Sequence, residues 1–202
     1  KKSNRLSPEL RKELAHVVPS ERQYNWQAME FTAFIHFGVN TFTGKEWGNG
    51  AENPEIFNPT NLDTDQWCRF LKENGFKMAI LTTKHHDGFC LWPTRYTKHS
   101  VSSSKWHDGT GDVVAELAKS CKKYGLKLGI YLSPADLYQM KSEQGFGSGL
   151  YDNGSKAVKR SIPEAVAGAR PFKDKRTFEV EVDDYNAHFM NQLFELLTEY
   201  GE

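Results

Sequence analysis

The sequence predicts an α/β fold built from three strands that each precede a helix. Apolar runs of strand length occur at residues 30–38, 77–83 and 126–132, and each is followed by a loop and a stretch with helical periodicity. The helical stretches share a glycine at their end: Gly75, Gly125 and Gly201. Repeated strand–loop–helix units favour parallel strands that are joined by right-handed crossovers.

A short helix is predicted at the start of the chain. Ser7 is a favoured helix cap, and Pro8 suits the first helical position because no amide hydrogen is needed there. Residues 30–38, which are rich in aromatic and β-branched side chains, predict a buried first strand. A loop at residues 43–50 follows, since closely spaced glycines prevent regular structure.

Each of the three main helices begins at a residue with a hydrogen-bonding oxygen. Asp63 or Thr64 caps the first, Asp112 caps the second, and Asp183 or Asp184 caps the third.

The same helices each have an apolar side. The first helix presents Trp67, Phe70 and Leu71 on one side. The second has an apolar face made of Val113, Val114, Leu117, Ala118 and Cys121. The third carries Phe189, Leu193, Leu196 and Leu197.

A sheet of three parallel strands would have two exposed edges, and the last helix has no further strand to lead into within the chain. An eight-stranded α/β barrel usually needs about 250 residues. We therefore expect residues 1–202 to form the amino-terminal part of a larger protein. We interpret residues 139–175, which are rich in glycine and basic side chains, as a mobile loop at the rim of the active face.

The charge balance argues against nucleic acid and membrane surfaces as partners. The 202 residues include 26 basic and 26 acidic side chains, so no net field attracts phosphate or anionic lipid. No apolar stretch reaches about 18 residues, and the first residues lack the apolar core of a signal peptide. We expect either a cytosolic protein or one whose leader has been removed.

The three cysteines have no CxxC spacing, so neither a structural zinc site nor a disulfide framework is expected. Cys68 and Cys121 lie among helix-period apolar residues. We predict that both are small buried hydrophobes.

Polar and aromatic side chains stand at the carboxyl ends of the three predicted strands. His36 ends the first strand, His85 and His86 follow the second, and Tyr131 lies near the end of the third. The carboxyl ends of parallel strands meet at one edge of a sheet, where α/β enzymes have their active sites. We therefore expect these four side chains to surround one site.

The neighbouring loops add a carboxylate and further aromatic rings. Glu46 and Trp47 lie in the loop after the first strand, and Trp92 and Tyr96 follow the second. Aromatic faces stack on the C–H faces of a pyranose, while imidazoles and carboxylates exchange hydrogen bonds with its hydroxyls. The pattern predicts a sugar-binding site.

Other interpretations of these residues stay open. His36, His85 and His86 have the ligand chemistry of a metal-dependent hydrolase, but sequence does not show that their rings converge. Each histidine also suits a core position, and Trp47 suits ordinary packing.

Asp87 precedes a glycine and is as well suited to a turn as to contact with substrate. A carbohydrate-binding protein without catalysis is a further alternative. The chain has no phosphate-binding, dinucleotide-binding or serine-nucleophile motif.

Four segments, in this order, resemble the amino-terminal half of the catalytic domain of retaining α-L-fucosidases, glycoside hydrolase family 29. They are Phe34-Ile35-His36-Phe37-Gly38, Glu46-Trp47, Thr83-Lys84-His85-His86-Asp87-Gly88-Phe89 and Leu128-Gly129-Ile130-Tyr131-Leu132-Ser133. The resemblance begins near residue 25 and continues to the end of the chain. Residues 91–101 resemble the branch of the family that cleaves α-1,3 and α-1,4 fucose linkages.

The resemblance implies a (β/α)8-like TIM barrel, of which residues 1–202 hold the first three βα units, followed by a β-sandwich domain. It implies that six side chains contact fucose: His36, Glu46, Trp47, His85, His86 and Tyr131. In this family the nucleophile is an aspartate of a Trp-x-Asp-Gly motif at the end of the fourth strand, and a carboxylate of a later loop is the acid/base. Both are expected beyond Glu202, so the isolated chain is expected to be inactive.

The resemblance further implies that the partner is a fucosylated oligosaccharide or glycoconjugate and that the reaction needs no metal or cofactor. Enzymes that degrade such glycans are commonly exported, so a periplasmic or secreted location is expected. Neither the oligomeric state nor the natural glycan follows from these residues.

Overall fold

The computed structural model describes residues 7–147 and 156–201. The chain divides into two compact units, Lys1–Phe31 and Thr32–Glu202. The first unit contains helices α1 (Pro8–Ala15) and α2 (Glu21–Gln27). The predicted start of α1 is confirmed, because the Ser7 side chain accepts a hydrogen bond from the amide of Leu10 and Pro8 opens the helix. Helix α2 was not predicted.

The second unit is organised around a parallel sheet of three strands. These are β1 (Thr32–Ile35), β2 (Met78–Lys84) and β3 (Lys127–Leu132), which lie side by side in chain order. The register pairs Phe34 with Ile80 and Ile80 with Gly129. The predicted α/β class with parallel strands is thus confirmed, in the form of a small open sheet.

Helices α3 (Thr64–Glu73) and α4 (Val113–Tyr124) follow β1 and β2. Each begins at the predicted cap, because the carboxylates of Asp63 and Asp112 accept amide hydrogen bonds at 2.8 and 2.9 Å. Helix α4 ends at Gly125, whose φ of 63° is the left-handed conformation that glycine adopts most readily.

One face of the sheet packs against α3 and α4 and forms the hydrophobic core. Fully buried core residues on this side include Cys68, Ala79, Leu81, Val114 and Leu117. The sulfur atoms of Cys68 and Cys121 lie 3.8 Å apart, and both thiols are free and buried, as predicted. Burying these apolar surfaces stabilises the unit by about 25 cal/mol for each Å² removed from water.

The opposite face of the sheet is open, and this corrects one prediction. The side chain of Phe34 is 51% exposed, so β1 is not a buried strand. Phe34 lies on the open face, where its ring contacts those of His36 and Tyr131. Phe70 on α3 and Leu197 near the carboxyl end of the chain are also exposed, although helical periodicity had placed them on apolar faces.

The connection after β3 contains regular structure that the sequence analysis missed. Helix α5 (Leu137–Lys141) follows β3, and strands β4 (Val158–Ile162) and β5 (Phe178–Val182) form an antiparallel pair. The interpretation of residues 139–175 as an irregular loop is therefore wrong for residues 139–141 and 158–162, and its residues 148–155 lie outside the described residues. Alternating side chains, as in Phe178-Glu179-Val180-Glu181-Val182, are the period-2 signal of a strand with one solvated face.

The last helix, α6 (Asp184–Glu199), is capped by Asp183, one of the two predicted cap residues, whose carboxylate accepts the amide hydrogen of Asn186. Its residue Glu195 is buried and joins the helix to the loop after β2. The Glu195 carboxylate accepts hydrogen bonds from the Trp92 indole, the Thr94 hydroxyl, and the backbone amide and guanidinium of Arg95, at 2.6–3.1 Å.

Within residues 7–147 and 156–201, no helix has both the length and the apolar character needed to cross a bilayer.

We expect Glu195→Gln to lower the free energy of unfolding by about 1.5–3 kcal/mol, because it removes the nearer of two buried carboxylates from the Arg95 guanidinium and leaves only Glu199, at 3.6 Å. Urea unfolding measures this change. The matched control is Glu73→Gln on the exposed surface of α3, which should stay within about 0.5 kcal/mol of the unmodified protein. Equal stability of the two variants would contradict the assigned role of Glu195.

Candidate functional site

The structure brings the histidines and the tyrosine at the strand ends together on the open face of the sheet. The ring centroids of His36 and His85 lie 4.9 Å apart, those of His85 and His86 lie 4.3 Å apart, and those of His85 and Tyr131 lie 5.8 Å apart. Three different strands therefore deliver side chains to one place, as the sequence analysis expected.

The loop after β1 adds Glu46 and Trp47 to this group. The Trp47 ring lies 4.6 Å from the ring of His86 and is 57% exposed, so a flat apolar face is open to solvent beside an imidazole. Glu46, His36 and His85 line a cavity of about 190 Å³. All six predicted contact residues thus belong to one cluster, which we call the strand-end cluster: His36, Glu46, Trp47, His85, His86 and Tyr131.

Ser133 determines which ring nitrogen of His86 faces the open side. The Nδ1 atom of His86 lies 2.8 Å from the Ser133 hydroxyl oxygen, and that hydroxyl donates its only hydrogen to the carbonyl of Ala135. The hydroxyl oxygen must therefore accept from Nδ1–H of His86. In the neutral ring this leaves Nε2 without a hydrogen, so it is available as an acceptor for a ligand hydroxyl.

His85 is held in its neutral form. Partial burial, together with the neighbouring His86 and His36, lowers its pKa to about 4, while Glu46 acts in the opposite direction. A neutral imidazole has one donor and one acceptor nitrogen, which is the pairing that a sugar hydroxyl requires.

Asp87 holds a turn, which was one of the two roles considered for it. One carboxylate oxygen accepts the amide hydrogen of Phe89 at 2.7 Å, and the other accepts the side-chain amide of Asn40 at 2.9 Å. Burial, together with the charge of Glu52, raises the pKa of Asp87 to about 6. Both oxygens are therefore engaged by the protein itself.

Trp92 and Tyr96 do not belong to the strand-end cluster, which corrects the sequence analysis. Trp92 is fully buried with its indole donating to Glu195, and the Tyr96 hydroxyl donates to the carbonyl of Glu164 at 3.0 Å. Both rings pack toward α6 and the segment after β4. Sequence places them in the correct loop but does not show that a buried carboxylate turns that loop away from the cluster.

Phe34 and Ser133 are part of the site although they were not predicted as site residues. A periodicity of two already indicates Phe34, because residues i and i+2 of a strand share a face and His36 is two positions further along. Ser133 gives no comparable signal, since its role depends on the register between β2 and β3.

Comparison with known proteins identifies the family. The sequence profile of the α-L-fucosidase family matches residues 17–202. The chain is 44% identical to α-L-fucosidase 1 of Arabidopsis thaliana over 185 residues, which cover 92% of the chain and 29% of that protein. The chain belongs to the α-L-fucosidase family. It spans less than a third of the length of this plant relative.

Solved structures of fucosidase family members have a similar fold. A Bacteroides ovatus protein assigned as an α-L-fucosidase is 48% identical and superposes with a TM-score of 0.70, covering 93% of the chain and 26% of that protein. A Ruminococcus gnavus fucosidase of glycoside hydrolase family 29, solved in complex with fucose, is 39% identical with a TM-score of 0.55. That match covers 62% of the chain and 26% of the Ruminococcus protein.

A fucosidase nucleophile is expected in a Trp-x-Asp-Gly segment, and Trp106-His107-Asp108-Gly109 has this spacing. In the structure this segment is a 3-10 turn between β2 and α4, with Trp106 buried and Asp108 exposed. It does not stand at the end of a strand. The spacing alone therefore does not assign Asp108 as the nucleophile.

The positions of the described side chains test whether the histidines could form a metal site. Among residues 7–147 and 156–201, no group of three or more histidine, cysteine, aspartate or glutamate side chains is arranged to hold a metal ion. The rings of His36, His85 and His86 contact one another instead by their edges and faces.

We expect an NMR titration of the full-length protein to give His85 a pKa of about 4, with His85→Gln identifying its signal. Because this pKa is below the unfolded value near 6.5, the unfolded chain binds more protons between these two pH values. His85 therefore makes the folded state less stable as the pH falls through this window. Replacing it with glutamine should reduce that loss. A pKa near 6.5 would contradict the assignment of a neutral ring.

Proposed function

We propose that the full-length protein hydrolyses terminal α-L-fucose from glycans and that this chain supplies the fucose-binding part of its active site. The observation that carries the proposal is the strand-end cluster, in which imidazoles, a carboxylate and an open indole face meet at the carboxyl end of the sheet in a chain of this family. The Ruminococcus gnavus relative was solved with fucose bound, which supports fucose as the ligand class.

The strand-end cluster has the chemistry to recognise a deoxyhexose. The exposed face of Trp47 suits the apolar C–H surface of the sugar, including its methyl group. The Nε2 atom of His86 and the carboxylate of Glu46 accept hydrogen bonds from hydroxyls, whereas the phenol of Tyr131 also donates. These contacts position the sugar before bond breaking and strengthen as the oxocarbenium-like transition state forms.

We propose a retaining mechanism. Retention needs two carboxyl groups about 5 Å apart, of which one attacks the anomeric carbon and the other protonates the leaving oxygen. On the described face, Glu46 and Asp87 are the carboxylates that line the cavity, and Asp87 is engaged by Phe89 and Asn40. We assign Glu46 to sugar binding and expect nucleophile and acid/base to lie beyond residue 202.

We propose that the sheet is the first part of a (β/α)8-like barrel that a β-sandwich domain follows. The open face carrying Phe34 is the one that would line the inside of a barrel. A largely apolar groove of about 760 Å³ lies between α4 and α6 along β3, bordered by Leu128, Ile130 and Leu196. An additional strand beside β3 would fill this groove, which supports a larger sheet.

The finer assignments rest on sequence resemblance. We propose cleavage of α-1,3 and α-1,4 fucose linkages, because residues 91–101 resemble that branch of the family. A fucosylated oligosaccharide or glycoconjugate is the proposed partner, and a periplasmic or secreted location is the proposed compartment.

An aryl fucoside assay separates the proposed enzyme from a carbohydrate-binding protein without catalysis. We expect the full-length protein to release the aryl group and the isolated 202 residues to release essentially none, because the nucleophile and the acid/base are proposed to lie beyond residue 202. Robust turnover by the isolated chain would refute the division of roles. A full-length protein that binds fucose but never turns over would favour the binding protein.

We expect Trp47→Ala to weaken fucose binding by the full-length protein about three- to tenfold, since an aromatic contact contributes about 0.5–1.5 kcal/mol. Isothermal titration calorimetry measures this change. Phe70→Ala is the matched control, because Phe70 is a similarly exposed ring on the helix side of the sheet. Unchanged affinity in Trp47→Ala, or an equal loss in both variants, would count against the assigned role of Trp47.

A further inference from the structure

The loop that carries Glu46 and Trp47 must be held by residues other than these two. Among the hydrogen bonds of the described residues, none involves the side chain of Glu46 or Trp47, and Trp47 is more than half exposed. An exposed indole on a loop with several glycines would sample many positions unless neighbouring groups fixed the backbone. The position of Trp47 over His86 therefore needs a separate cause.

We propose that Asn40 is a positioning residue that joins this loop to Asp87 and thereby holds Trp47 against His86. The inference deepens the proposed function, because it names the device that sets the stacking surface for the sugar. Asp87 directly follows His86 in the sequence, so a link from Asn40 to Asp87 connects the indole-bearing loop with the imidazole that it faces.

The hydrogen bonds of Asn40 determine which end of its side-chain amide faces Asp87. Its Nδ2 group donates to Asp87 at 2.9 Å, and its Oδ1 atom accepts from the Thr43 hydroxyl at 2.8 Å. Asp87 offers only acceptors when ionised, and its other oxygen already accepts from the amide of Phe89. Position 40 thus requires a donor on one side and an acceptor on the other, which an amide provides.

Asn40 also contacts the residue next to Trp47. Gly48 has a φ of +68°, and a Cβ atom there would lie only 2.7 Å from the Asn40 Nδ2 atom and would overlap the Glu52 carboxylate. The Glu52 carboxylate in turn accepts the amide hydrogens of Asn49 and Gly50 at 2.6 and 2.9 Å. The backbone directly after Trp47 is therefore packed against Asn40 on one side and held by Glu52 on the other.

Two substitutions test the direction of this link. Asn40→Asp places two carboxylates against each other and removes the donor, so the link should break. Adding Asp87→Asn reverses the bond, because the amide introduced at position 87 donates to the carboxylate introduced at position 40. That carboxylate still accepts from Thr43, and the oxygen of the new amide still accepts from Phe89. The double variant should therefore restore the link without the original residues.

The control substitution is Asn53→Asp. Asn53 is exposed in the same connection between β1 and α3, and its side-chain oxygen accepts the amide hydrogen of Glu55 at 3.0 Å. A carboxylate at position 53 keeps this acceptor role. The control therefore makes the same chemical change as Asn40→Asp without touching the link to Asp87.

The experiment uses the full-length protein labelled with 5-fluorotryptophan, in which Trp47→Phe identifies the Trp47 signal. We expect Asn40→Asp to shift the ¹⁹F resonance of Trp47, the double variant to return it, and Asn53→Asp to leave it unchanged. This readout needs no ligand, so it tests the link even if the protein does not bind fucose. An unshifted resonance in Asn40→Asp, or a double variant that is folded but not restored, would overturn the inference.

Titration with fucose then separates the two proposals. Asn40→Asp should weaken binding about three- to tenfold, as Trp47→Ala does, and the two changes together should cost little more than either alone because both act through Trp47. Additive losses would show that Asn40 acts in another way and overturn the inference. If Trp47→Ala weakens binding and Asn40→Asp does not, the positioning role fails while the proposed function stands.

Discussion

A buried ion pair at the end of β2 is the constraint on which the site depends. The ammonium of Lys84 lies 2.9 Å from the Asp136 carboxylate and 2.9 Å from the amide oxygen of Gln192, and all three side chains are almost completely buried. The pair joins β2 to the segment after β3 and to α6. Breaking such a pair by removing one partner typically costs several kcal/mol, since the remaining charge stays in a low-dielectric interior.

The same carboxylate organises the loops above the sheet. A second hydrogen bond from the amide of Gln139 to Asp136 caps α5. The backbone at the start of α5 packs so closely against Gly50 that a Cβ atom at that position would overlap it. Charged groups below the surface therefore fix the backbone, while the strand-end cluster above them keeps its hydrogen-bonding capacity for a ligand. This division explains how the strand-end cluster can be held rigidly without using the groups that are proposed to contact the sugar.

Local rules were sufficient for much of this fold. The caps Asp63, Asp112 and Asp183, the left-handed Gly125 and the parallel order of the strands follow from residue types and spacing, because each depends on a few neighbouring residues. The convergence of the strand-end cluster was also predictable, since parallel strands place their carboxyl ends at one edge. In the β4–β5 pair, adjacent Lys159 and Arg160 interrupt the alternation of β4, whereas β5 carries the period-2 signal in full.

Other features depended on contacts between distant residues and could not be derived locally. Trp92 and Tyr96 turn toward α6 because Glu195, about a hundred positions away, gathers four donors from their loop. The exposure of Phe34 depends on which elements cover the inner face of the sheet, a property that periodicity does not contain. Helical periodicity identified the correct helices, but not which flank of each is buried.

The two adjacent histidines show how backbone geometry turns a sequence motif into a site. Neighbouring residues of a regular strand point to opposite faces, yet His85 and His86 both contact rings of the same cluster. The register between β2 and β3 shifts at Thr82–Lys84, and such an irregularity re-aims the side chains that follow it. The chain then turns at Gly88, where φ is +83° and the Asp136 carboxylate occupies the place of a Cβ atom. Any larger residue would collide with this carboxylate, whose other oxygen binds Lys84, so the close packing around the buried ion pair accounts for the glycine of the motif.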